Sequence, residues 1–124
     1  ALCRAVRPRP VSGNGNWIRP PLLNGWTGFS PTHQEPQYRR RPDGTVELRG
    51  SVKGGTVATT APIFQLPPGF RPNVIRPFGV TTGDPTASAG ELFVFPASSN
   101  GTVALGKGSN TKLNLNGIVF EAEA

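Results

Sequence analysis

The sequence predicts an all-β fold, an antiparallel β-sandwich or jelly roll of about eight short strands with an extended N-terminal arm, on three observations. Thr45 to Lys53 alternates strictly, with Val46, Leu48, Gly50 and Val52 on one face and Glu47, Arg49, Ser51 and Lys53 on the other. That is the period of a half-buried strand. Turn formers punctuate the chain at Asn24-Gly25, Pro42-Asp43-Gly44, Pro67-Pro68-Gly69, Asn100-Gly101 and Asn116-Gly117. No apolar repeat sustains a helix longer than a turn or two. At 124 residues the chain suits one domain with a modest core.

Residues 1–21 read as an extended arm, because Pro8, Pro10, Pro20 and Pro21 block helix and Gly13-Asn14-Gly15 supplies a bend. Its large apolar pair, Trp17 and Ile18, is placed to anchor it on the body or on a neighbouring subunit. Residues 22–124 form the sandwich. Asn24-Gly25 is a tight-turn signal just before Trp26. Tyr38 to Arg41 reads as a strand, Pro42-Asp43-Gly44 as its turn, and Thr45 to Lys53 as the return strand. Pro62 to Leu66 is a short strand. Phe70, Val74, Ile75, Phe78 and Val80 thread a Pro-rich stretch expected to be irregular or an edge. Glu91 to Phe95 is apolar on both faces, as for a strand packed between two layers or against another subunit. Ser99 to Thr102 is a hairpin turn, with Val103 and Leu105 on the partner strand. In Lys112 to Phe120 the apolar parity changes at Asn116-Gly117, where a bulge or bend is expected.

Net charge is +6, but it is unevenly placed. Residues 1–41 hold seven arginines against Glu35, while residues 42–124 balance six basic with six acidic side chains. The excess belongs to an arm and a strand edge and not to a basic domain. In the alternation, Arg49 and Lys53 face water and Arg39 to Arg41 run into an exposed turn, where cations also discourage edge-to-edge pairing. Nucleic acid is not the expected partner, since it would require an aromatic-interleaved basic sheet that the arm lacks, and any such binding would be electrostatic and salt-sensitive.

Catalytic chemistry finds no constellation. One cysteine, Cys3, forms no internal disulfide, and with His33 as the lone histidine a Cys/His zinc site lacks ligands. The seven acids are dispersed, mostly in turns or exposed slots. Gly106 to Lys112, GKGSNTK, lacks phosphate-loop spacing and leads to no helix. No enzyme activity, metal or cofactor is expected. No apolar run approaches the roughly 18 residues of a membrane helix, and ALCRAVRPRPV carries no hydrophobic signal region.

Five pieces in order, Asn24-Gly25-Trp26, Tyr38-Arg39, Gly44 to Gly50, Leu66 to Pro72 and Leu115 to Phe120, resemble a module of bacteriophage and prophage tail, baseplate and fibre proteins. The resemblance covers about residues 22–120. Phe70 stands where that pattern has tyrosine, and the Arg-Pro arm lies outside it. The resemblance implies a structural β-rich module that trimerises and has no catalytic residues.

The expectation is a virion structural protein, a homotrimer located on the tail or capsid exterior. It would be joined to other virion proteins through an arm carrying Arg4, Arg7, Arg9, Trp17, Ile18 and Arg19. Leu92, Phe93, Val94 and Phe95 are the candidate subunit interface, since a small domain can hide a two-faced strand in an oligomer. One alternative is a capsid decoration protein. Another is a carbohydrate-binding module for a host-surface glycan, with Trp26 or Tyr38 as the stacking platform.

Overall fold

The computed structural model describes residues 16–123. In chain order the strands are β1 (Thr27–Gly28), β2 (Gln37–Arg40), β3 (Thr45–Arg49), β4 (Ser51–Lys53), β5 (Phe64–Gln65), β6 (Arg76–Thr82), β7 (Ser88–Val94), β8 (Thr102–Lys107), β9 (Leu113–Asn114) and β10 (Ile118–Glu121). A single 3-10 turn, Ala97–Ser99, is the helix among the described residues. All pairings are antiparallel, in a seven-stranded sheet of order β1-β4-β9-β6-β7-β8-β5 and a three-stranded sheet of order β10-β3-β2. The architecture is a β-sandwich.

Local chemistry accounts for the hairpins. Asp43 Oδ1 accepts from Thr45 N–H and Oγ1 at 3.0 and 2.7 Å, closing the β2–β3 turn. Asn100 and Gly101 both take left-handed backbone (φ 59° and 67°), but they close the 3-10 turn Ala97–Ser99, so β7 and β8 are joined by a longer loop and not by the tight Ser99–Thr102 turn that the sequence suggests. Between the sheets lie Trp26, Val46, Leu48, Phe64, Leu92 and Leu113, each at most 2% exposed. Each such aliphatic or phenyl side chain contributes about 1.5–3 kcal/mol by leaving water.

The Thr45–Lys53 strand differs from the alternation. It breaks at Gly50: β3 belongs to the small sheet and β4 to the large one. Ser51 and Val52 are consecutive and both buried, so strict period two ends at Arg49. Gly50 has φ +113°, and a Cβ there would collide with the Glu35 carbonyl oxygen and Pro36 Cα.

The partner strand crosses at the same point. Leu48 faces Ile118 in the small sheet and Ser51 faces Asn114 in the large one, so three steps along one strand meet four along the other. Asn116-Gly117 is therefore the expected irregularity, and it also carries the chain between sheets. Gly50 N–H donates to Asn116 Oδ1 (2.9 Å), and Leu115 N–H donates to the Gly50 carbonyl (2.8 Å).

The Pro-rich stretch is more regular than its composition suggests. Arg76–Thr82 pairs with β7 at all seven positions. Proline is tolerated because β9 covers the other side of β6 only at Thr82, opposite Leu113, leaving the Pro77 end bare.

Gly50→Ala would place a side chain against backbone in a left-handed conformation. The expected loss is roughly 3 kcal/mol or more of stability, read as a drop in urea midpoint. A midpoint within experimental scatter of the parent would show that the corner does not depend on glycine.

Candidate functional site

The outer face of the small sheet carries the arginine run, and its cations are engaged within the chain. Arg39 Nε and Nη2 donate to Glu47 Oε1 at 2.9 and 2.7 Å, and Arg41 Nη2 reaches the same oxygen at 2.9 Å. Arg49 Nε donates to Gln37 Oε1 (2.8 Å). Arg40, of the opposite parity, donates to the Gly69 carbonyl (2.7 Å). The guanidiniums of Arg39 and Arg49 both lie over the Trp17 ring, 4.4 and 3.8 Å from its centroid. Contacts of this kind contribute about 0.5–1 kcal/mol each at exposed sites.

Of the arm residues, Trp17 and Ile18 lie on the body of their own chain. Ile18 exchanges backbone hydrogen bonds with Tyr38, at 2.8 and 2.9 Å. Arg19 pairs with Glu35 at 2.9 Å in an exposed bridge, the kind that adds little stability. Arg4, Arg7 and Arg9 lie outside the described residues.

The proposed stacking platforms require correction. Trp26 is 2% exposed, with Nε1 donating to the Thr56 carbonyl (3.3 Å), and Tyr38 is 6% exposed beneath Phe70. Burial in a weakly polar setting raises the Tyr38 phenol above its ordinary pKa. Neither ring offers a face to a sugar, because both are core side chains of the sandwich. A more exposed aromatic is Phe29, which meets His33 edge-on at 4.7 Å and has Lys112 Nζ 4.9 Å and Lys53 Nζ 5.6 Å from its centroid.

The two-faced strand divides cleanly. Leu92 and Val94 are fully buried in the chain's own core and are withdrawn as interface candidates. Phe93 and Phe95 stand half-buried on the outer face, stacked with centroids 6.1 Å apart. Pro77 lies opposite Phe93, and Ile75 falls beside Phe95 one step beyond the Arg76–Val94 pair. Val74 and Ile75 are 62% and 52% exposed.

A cleft absent from the sequence reading opens where β9 and β10 turn away from β6. It has a volume of about 330 Å³ and is lined by Phe78, Gly79, Val80, Thr81, Asn114, Asn116, Gly117 and Ile118. Asn114 Oδ1 accepts from Ser51 Oγ (2.9 Å) and Asn116 Oδ1 from Gly50 N–H. Both amide nitrogens lack protein partners among the described residues. The asparagines are visible in the sequence only as parts of a turn, since their convergence on β6 depends on the sheet crossing.

No protein-family model matches this chain, and neither a curated protein nor a solved structure shows significant similarity to it. Among the described residues no group of three or more His, Cys, Asp or Glu is placed to hold a metal ion, and no helix is long and apolar enough to cross a membrane.

Glu47 is the titrating group most involved in this face. Burial acts first and raises its pKa, but hydrogen bonds and charge from Arg39 and Arg41 outweigh it and hold the carboxyl below its ordinary value. A lowered folded pKa stabilises above the unfolded value and is lost as pH falls through the folded one. Glu47→Gln should therefore cost roughly 1–2 kcal/mol near neutrality, with the gap from the parent closing below about pH 4. Urea titrations at several pH values check this, and a gap independent of pH would assign the loss to packing instead.

Proposed function

We propose that this chain is a structural β-module of a bacteriophage or prophage virion, of the tail, baseplate or fibre type. It acts as a homotrimer attached to the particle through the arm that begins before Trp17. The observation that carries the reading is the apolar outer strip of Ile75, Pro77, Phe93 and Phe95, in which, among the described residues, the first two are exposed and the two phenyl rings half-buried. A second copy laid on it would remove half-buried phenyl and exposed aliphatic surface from water, the usual driving force for association.

The ordered motifs that suggest the phage module lend further support, because each performs a scaffold task. Trp26 fills the core, Gly50 turns the strand between sheets, and Phe70 packs edge-on against Tyr38 at 5.2 Å. Residues committed to holding a shape are what a particle component needs. Trp17 and Ile18, held on the body, would fix where the preceding residues leave it.

Light scattering after size exclusion tests the assembly, at low and high salt because an apolar interface resists screening. The expected mass is three times the 13.1 kDa chain at both salts. Ile75→Lys with Phe95→Lys should yield a folded monomer, with circular dichroism like the parent's. A parent that is monomeric at all concentrations, or a double variant that remains trimeric, would overturn the interface.

A further inference from the structure

We propose that the cleft between β6 and the β9–β10 corner binds an uncharged sugar unit. This reading goes beyond the assembly role and does not depend on it.

The cleft presents donors that the fold has oriented and left unused. Gly50 N–H can only donate, so its bond identifies the Asn116 oxygen and leaves the –NH₂ group without a partner among the described residues. Ser51 Oγ donates to Asn114 Oδ1, and the Asn114 –NH₂ likewise has no partner among the described residues. Backbone groups add to these. Gly83 N–H donates to the Lys112 carbonyl (2.8 Å), and peptide groups facing one side of a strand recur every second residue. The N–H and C=O of Gly79 therefore face the β9 side, where β9 has already departed, and neither has a partner among the described residues. Glycine at this position is not required by the protein itself. Its φ is ordinary, and a Cβ would meet nothing within 4 Å. A glycine inside a strand often marks a close approach by something else.

The ligand class follows from the lining. None of the eight lining residues is ionisable, so an anion or cation would lose its hydration without gaining a charged partner. Phe78, Val80 and Ile118 supply an apolar side, and Asn114, Asn116 and Gly79 supply three donor groups and one acceptor. That combination suits a ring with an apolar face and a rim of hydroxyls. The volume lies at the low end for small-ligand sites, enough for one or two sugar units. A docked peptide strand fits less well, because Pro77 interrupts the row of N–H groups it would need.

The test is a titration of the isotope-labelled full chain by NMR. Methyl glucoside, galactoside and mannoside and N-acetylglucosamine are added, each to about 100 mM given the millimolar affinity expected of so few contacts. N-acetylneuraminic acid serves as the anionic control. At least one neutral sugar should shift the Gly79 and Thr81 amides and the Asn114 and Asn116 side-chain resonances, and the acid should shift them less. Asn114→Asp and Asn116→Asp keep the oxygen that the corner uses and remove the donor. Both should stay folded by circular dichroism and weaken binding about tenfold.

No shift with any neutral sugar, shifts away from the cleft, or undiminished binding in both variants would overturn the proposal. So would concentration-dependent protection of Gly79 in the sugar-free parent that either variant abolishes, since the cleft would then be a seat for another polypeptide. A monomer that binds sugar retires the trimer alone, and a trimer that ignores sugar retires the cleft alone.

Discussion

The structure depends on two antiparallel strands changing sheets at the same point. Gly50 and Asn116 make this geometrically possible: the former supplies a backbone conformation closed to other residues at that spot, and the latter's side chain takes up the Gly50 N–H that the sheet no longer pairs. An unpaired buried peptide group would cost about 1–3 kcal/mol, so the crossing needs both residues. Once it is made, Val46 and Leu48 face Val52 and Leu113 across the core from opposite layers. One continuous strand pair thereby ties both sheets into a single hydrophobic unit.

The same crossing creates the cleft. β9 pairs with β6 at Thr82 and then leaves for the other sheet as β10. No other strand among the described residues covers the side of β6 that β9 abandons, and that is where Pro77 and Gly79, poor strand residues by composition, are accommodated. Opening and scaffold are thus one feature. The asparagine that stabilises the corner is also the one that holds an amide donor at the cleft.

Much of the secondary structure is legible in the sequence, and the failures have a common cause. Alternation in Val46 to Arg49 and the turn chemistry of Asp43 are local signals, and the structure follows them. Alternation cannot report a change of sheet, because Gly50 keeps the parity of Val46 and Leu48 while the strand turns through it. Trp26 and Tyr38 mislead for a related reason. Their nearness to turns suggests exposure, but burial is set by the opposite layer, which no local pattern describes. Composition likewise overstates the irregularity of Arg76–Thr82, since the effect of a proline depends on which side of the strand has a neighbour.

The arginine cluster shows how charge can be present in a sequence and spent within the fold. Glu47 receives two guanidiniums, and those of Arg39 and Arg49 lie over the Trp17 ring. Without the indole, Arg39, Arg41 and Arg49 would have a single carboxylate, Glu47, to balance three charges. The ring's negative π-density attracts both guanidiniums over it, and the carboxylate compensates part of the remainder. Trp17 is thus a shared partner whose removal would be felt first at Arg39 and Arg49. Because the same ring precedes the Ile18–Tyr38 pairing, the electrostatics of the small sheet and the path of the N-terminal segment are one constraint. Ile18 meets Tyr38 one residue beyond a tryptophan held by two arginines.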